Sequence, residues 1–276
     1  MYTERKMLSS DGKYYVDVYV QNETPEIGLS HKRPMVVVLP GGGYMATCDR
    51  EAEPIALSYI AAGFNAAVVR YRIREDAVWP NPQVDVSEAL KYIRENAARF
   101  LTDPDKIAVC GFSAGGHLTA SMGVHWDDPV IQERSGCHNG ENRPNALILG
   151  YPVINDNGLF SDSRSMGVHL REYRDTDNYD KMYEYVSCQN YVRAGVTPPT
   201  FIFSTWEDTV VPIQNSLLFA AALCKEKIPA EIHIFQRGNH GLALGDFRTM
   251  PGPSNADAVD WMRLSINWLW NLFGRE

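Results

Sequence analysis

The stretch CGFSAGGHL, residues 110–118, follows directly on the apolar run KIAV, residues 106–109. Gly111-Phe112-Ser113-Ala114-Gly115 fits the pattern Gly-x-Ser-x-Gly, which at a strand-to-helix junction forms a sharp turn that exposes a nucleophile. With Gly and Ser each at roughly 7 % of residues, that pattern arises by chance about 0.1 times in a chain of this length. The surroundings therefore decide its meaning. KIAVCGF reads as a buried strand and the residues after Ser113 as a helix. A turn that tight strains the serine backbone and crowds its neighbours, so a Cβ at Gly111 or Gly115 would clash. The helix N-terminus beyond Ser113 would add partial positive charge beside a developing oxyanion.

Outward from this turn, short apolar runs alternate with amphipathic ones. YYVDVYV (14–20) alternates like a half-exposed strand, and SSDG just before it is a turn signal. PMVVVLP (34–40) is a continuous β-branched run, as in a strand covered on both faces. EAEPIALSYIAAG is helical in period and stops at Gly63, FNAAVVRY reads as a strand, and VDVSEALKYIRENAARF as a helix. Beyond the serine helix come the strand NALILGYPV, the strand TFIFSTW, the helix IQNSLLFAAALCKEK, the strand EIHIF and the helix ADAVDWMRLSINWLWNLF. This order predicts one α/β domain over residues 1–276, a mostly parallel sheet with helices on both faces. The interval 155–196 breaks the rhythm. It is rich in charge and in tyrosine (Tyr173, Tyr179, Tyr183, Tyr185, Tyr191), and an insertion of that length predicts a lid over the site.

Composition narrows the field. The net charge is −8, and the 26 basic residues are scattered rather than gathered into a stripe, which argues against nucleic acid as a partner. No run approaches the ~18 apolar residues that cross a bilayer, and the N-terminus lacks the apolar core of a signal peptide. The five cysteines form no CxxC pair, so neither a disulfide framework, a metal cluster nor a cofactor is implied, and a cytoplasmic, reduced protein is the simplest expectation. The apolar final helix, with Trp261, Trp268, Trp270 and Phe273, reads as core packing, with a homodimer left open.

A serine hydroxyl needs a base, and the base needs an orienting carboxylate. His240 in RGNHGL stands in a glycine-flanked loop beyond the final strand, at the sheet edge where ligands bind in open α/β folds. Asp208 in TFIFSTWEDTVVP lies just past a buried strand, between Ser113 and His240 in the chain, whereas Glu207 should face elsewhere. His117 is expected to pack under the turn, His233 to pack or face solvent, and Asp85 to serve the start of a helix. LPGGGY (39–44) follows another strand, and its glycines let backbone N–H groups turn toward an anion.

PGGGY, REAEPIA, VVRYR, DPDKIAVCGFSAGGHLTA, GYPV, TWEDTVVP and GNHGL together resemble the hormone-sensitive-lipase-like α/β-hydrolases, and within them small bacterial acetyl xylan esterases and xylanase-B-like carbohydrate esterases. The likeness runs over roughly residues 30 to 273. It implies an α/β-hydrolase fold with Ser113 as nucleophile, His240 as base and Asp208 as orienting acid. The N–H groups of Gly42, Gly43 and Ala114 would form the oxyanion hole. Pro40 replaces the histidine of the commoner HGGG loop. SCQNYV stands where many relatives carry Ser-Pro followed by a histidine. The implied reaction is hydrolysis of short acyl esters, acetyl above all, on a carbohydrate. Tyr44, Trp79 and the tyrosines of 155–196 would stack on sugar faces. An arylformamidase or small peptidase could use the same trio. A non-catalytic binding module on this fold would ordinarily have lost one of its members.

Overall fold

The computed structural model describes residues 1–24, 26, 32–155, 165–250 and 257–274. Eight strands form one sheet in the order β1-β2-β4-β3-β5-β6-β7-β8. They are β1 (Tyr2–Met7), β2 (Tyr15–Val20), β3 (Arg33–Leu39), β4 (Asn65–Arg70), β5 (Thr102–Phe112), β6 (Ala146–Gly150), β7 (Thr200–Thr205) and β8 (Ala230–Phe235). The first two pair antiparallel with each other and β2 with β4, while every pairing from β4 to β8 is parallel.

Burial follows pattern. β3 is covered throughout because helices pack both faces, whereas β2 alternates half-buried and buried along its length. Within the central strands, Val36 and Val38 face one core cluster and Met35, Val37 and Leu39 the other. Helices α1 (Glu53–Ala61) and α8 (Asp260–Phe273) cover the first face. The opposite face is covered by α2 (Asn81–Glu95), α3 (Ala114–His125) and α7 (Gln214–Lys225). Trp261 of α8 is fully buried, its ring stacked on Phe203 of β7 with centroids 4.3 Å apart, and Trp270 lies 4.4 Å from Phe64. The final helix is therefore part of the core, as its composition suggested. All five cysteines are free. Among the described residues, no helix is long and apolar enough to cross a membrane.

Two elements escape the hydrophobic pattern. β1 is exposed almost throughout and pairs only with β2, so neither face imposes alternation. A short helix α4 (Pro129–Ser135) also forms, with Asp128 accepting from the N–H groups of Val130 and Ile131 and with Gly136 left-handed at its end. Asp-Pro at its start and Gly at its stop are the local signals that announce it. Asp85 corrects an expectation. It does not open a helix but lies inside α2, buried, where it accepts from the Arg72 backbone N–H (2.7 Å) and pairs with its guanidinium (2.8 Å). Burial pushes this carboxyl up, against the pull of Arg72.

Of the expected lid, residues 156–164 lie outside the described residues. The described remainder forms α5 (Ser165–His169) and α6 (Tyr179–Val186). Met166, Leu170 and Val186 pack against Val153 and Val211.

Candidate active site

β5 ends at Phe112 and α3 begins at Ala114, leaving Ser113 alone at the turn with φ 53° and ψ −118°. A non-glycine residue there is strained. The strain is imposed by its surroundings: Ser113 N–H donates to Gly150 O at 3.0 Å, while its carbonyl accepts from His117 N–H and Val153 N–H. A Cβ on Gly111 would stand 2.1 Å from Gly115 O, and one on Gly115 would stand 2.1 Å from Leu39 O. Both glycines are required by close approach, as the turn demands.

Asp208 follows β7 and His240 follows β8, and their loops bring them to the same sheet edge as Ser113. His240 Nδ1 lies 2.7 Å from Asp208 Oδ2, and His240 Nε2 lies 2.8 Å from Ser113 Oγ. A carboxylate only accepts, so Nδ1 carries the proton and Nε2 presents its lone pair to the serine hydroxyl. The other oxygen of Asp208 accepts from Val210 N–H (2.9 Å) and Val211 N–H (2.8 Å). Ser113 is 7 % and Asp208 4 % exposed. Glu207 faces away, as expected, its carboxylate near Gly238 N–H.

The glycine loop after β3 completes the site. Gly42 and Gly43 line a cavity of about 210 Å³ with Ser113, His240, Cys48, Arg50, Glu51, Ser165, Val210 and Gly241. Among the described residues, nothing accepts from the N–H of Gly42, Gly43 or Ala114. Three donors beside a serine hydroxyl, one of them at a helix N-terminus, can hold an oxyanion. The loop is held from outside. Tyr71 O–H donates to Pro40 O at 2.5 Å, and Arg70 Nη1 donates to Thr47 O at 2.7 Å. The VVRYR motif thus braces PGGGY, a role its sequence did not disclose.

Two expectations fail here. Tyr44 is fully buried: its O–H donates to His117 Nδ1 (2.7 Å) and its ring stacks on His169 at 4.6 Å, so it offers no face to a sugar. Trp79 does not line the cavity; it packs edge-on against Tyr185 at 5.5 Å. The described tyrosines of the insertion are half-buried and pack in part on one another and on α3, Tyr185 on His125 and on Tyr191, and Tyr179 on Tyr183. His117 lies buried beneath the turn, as expected, with Nε2 donating to Val186 O at 2.8 Å. Burial holds its imidazole down at about 4 and that of His169 at about 3, so both are neutral spacers between α3, α5 and α6.

The family model described as BD-FAE matches residues 16–223. The chain belongs to the BD-FAE family. Among its relatives, this BD-FAE chain is 37 % identical over 229 residues to "Endo-1,4-beta-xylanase B" of Butyrivibrio fibrisolvens, covering 82 % of this chain and 35 % of that protein. It is 29 % identical over 260 residues to "Acetylxylan esterase" of Xylanibacter ruminicola, covering 93 % of this chain and 49 % of that protein. The BD-FAE chain thus spans about half, or less, of the length of these curated relatives. Solved structures match it end to end. One is an acetyl ester-xyloside bifunctional hydrolase from Caldicellulosiruptor lactoaceticus, with TM-score 0.80, 30 % identity, and 99 % and 96 % of the two chains covered. Another is MGS-M1, an alpha/beta hydrolase enzyme from a deep-sea metagenome library, with TM-score 0.77, 35 % identity, and 99 % and 98 % covered. The α/β-hydrolase fold and the hormone-sensitive-lipase-like resemblance both stand.

Proposed function

We propose that this protein is a serine carboxylesterase that cleaves short acyl esters, acetyl foremost, on carbohydrates such as acetylated xylan or its oligosaccharides. The observation that carries the reading is the unbroken chain Asp208–His240–Ser113, with hydrogen bonds of 2.7 and 2.8 Å, at a cavity also lined by Gly42 and Gly43. His240 takes the Ser113 proton as Oγ attacks the ester carbonyl, and Gly42, Gly43 and Ala114 hold the oxyanion. The imidazolium then protonates the departing alcohol. Water, deprotonated by His240, releases the acid and restores Ser113. Asp208 keeps the proton on Nδ1 throughout.

The acyl length follows from space. A cavity of about 210 Å³ is below the range of ordinary drug-sized sites, which favours a short acyl chain over a long one. The names of the relatives favour acetyl and xylan-derived alcohols. Residues 155–196 would act as the lid that excludes water, and substrate binding would need neither nucleic acid, membrane, metal nor cofactor. The test is a series of p-nitrophenyl esters together with acetylated xylo-oligosaccharides, run on wild type and Ser113→Ala. The expectation is activity falling from acetate to octanoate, acetate released from the oligosaccharides, and a loss of at least roughly a thousandfold in the variant. A Ser113→Ala protein that still turns over above that floor would falsify the assignment.

A further inference from the structure

Glu51 sits in the wall of the cavity, 1 % exposed, on a single 3-10 turn (Asp49–Glu51) that the reaction above does not use. Its two oxygens point in different directions. Oε2 accepts from Gly41 N–H at 2.8 Å, at the head of the glycine loop. Oε1 accepts from Tyr151 O–H at 2.8 Å. The Tyr151 oxygen in turn accepts from Ala243 N–H at 3.0 Å, three residues past His240, and the tyrosine ring stands edge-on to the imidazole at 5.1 Å. The neighbouring Arg50 reaches the same loop, Nε donating to Gly241 O at 2.8 Å. Gly41 itself is so confined that a Cβ built on it would lie 2.8 Å from Glu51 Oε2 and 2.9 Å from Ser113 Cβ.

We propose that Glu51 is a positioning residue that fixes the oxyanion loop relative to the His240 loop, acting through Gly41 on one side and through Tyr151 on the other. The inference rests on the reading of Ser113, His240 and the Gly42–Gly43 amides as the reacting groups. Physically, the carboxylate holds the Gly41 peptide plane, and the next two amides inherit that orientation. Through the tyrosine it also holds the chain just past the imidazole. Only an ionised acid does both, because it accepts at each oxygen. Glutamine keeps the volume but has one acceptor. Its NH₂ would donate to a Tyr151 oxygen that already accepts from Ala243, leaving the tyrosine proton without a place. Burial and the adjoining Glu51 raise the Tyr151 phenol well above its ordinary range, which keeps it a donor.

Both half-reactions pass through an oxyanion, so loosening this brace lowers kcat and leaves KM nearly in place. The experiment compares wild type, Glu51→Gln, Tyr151→Phe and the double variant on p-nitrophenyl acetate, with Ki for phenylboronic acid, a mimic of the tetrahedral adduct. The expected result is a fall in kcat of roughly 10- to 100-fold in each single variant, with KM within about twofold. Ki for the boronate should rise in step with the loss of kcat/KM. The double variant should fall no further than the worse single one, because both cut the same chain. Wild-type kcat in both single variants would overturn the proposal, as would additive losses with an unchanged boronate Ki. Ser113→Ala, run alongside, separates the two claims. If it stays active the nucleophile is misassigned; if it is dead while Glu51→Gln and Tyr151→Phe are unaffected, only the brace is wrong.

Discussion

Asp208 performs two tasks with two oxygens. Oδ1 closes the turn after β7 by accepting from Val210 and Val211, and Oδ2 holds the His240 tautomer. Asparagine can do the first and reverses the second, because its amide donates to Nδ1 and drives the proton to Nε2, where the serine needs a lone pair. Asp208→Asn should therefore lower kcat on p-nitrophenyl acetate by on the order of 10³–10⁴. Its melting temperature should stay within about 2 °C of wild type, since the turn survives. A large loss of stability with modest loss of rate would mean that the cap is the residue's main office. In the sequence, its place past a buried strand and between Ser113 and His240 singled this carboxylate out as the candidate acid. Glu51 stayed hidden. REAEPIA was visible as a motif, but its partners Gly41, Tyr151 and Ala243 are brought together only by the fold.

At the scale of elements, the glycine loop and the two insertion helices meet in one buried knot. Tyr44 donates to His117 on α3; His117 donates to Val186 at the end of α6; His169 on α5 stacks on Tyr44 and reaches Ala77 O at 2.7 Å. Tyr44→Phe keeps the packing and removes the donor to His117 Nδ1. A buried acceptor left without its partner costs about 1–3 kcal/mol. The melting temperature should drop by a few degrees in a calorimetric scan, with short-ester kinetics changed much less. An unaltered melting temperature would show that the bond adds nothing. An aromatic residue beside a glycine loop reads from sequence as an exposed platform. Its histidine partner lies 73 residues further on, and no local pattern carries that pairing. The strands and long helices, by contrast, announce themselves by periodicity, whereas α4 is too short for that pattern and its only local signals are the Asp128-Pro129 start and the Gly136 stop. β1 was not legible, because a ribbon solvated on both faces has no hydrophobic code to read.

For the whole molecule, three buried histidines contribute a loss of stability toward acid. Burial lowers His117 and His125 to about 4 and His169 to about 3, from an ordinary value of 6.5. Between pH 6.5 and those values the unfolded chain binds protons that the folded chain excludes. Their contribution to stability is therefore whole above pH 6.5 and is lost as the pH falls. At its steepest the slope is about 1.4 kcal/mol per pH unit for each histidine. Urea midpoints measured at about pH 8 and about pH 5 should show a clear decline on the acid side, with little change in m-value. Equal midpoints would mean that these imidazoles take up protons in the folded state without cost.

In the proposed reaction Ser113 becomes acylated. Rapid quenching of the enzyme with p-nitrophenyl acetate, followed by peptide mass analysis, measures this directly. An acetyl group should appear on the peptide carrying Ser113 during turnover, be absent in Ser113→Ala, and fail to form at a comparable rate in His240→Ala. An acetyl group found instead on another side chain of the cavity, such as Cys48, or steady turnover with no covalent adduct on the pathway, would contradict the proposed reaction.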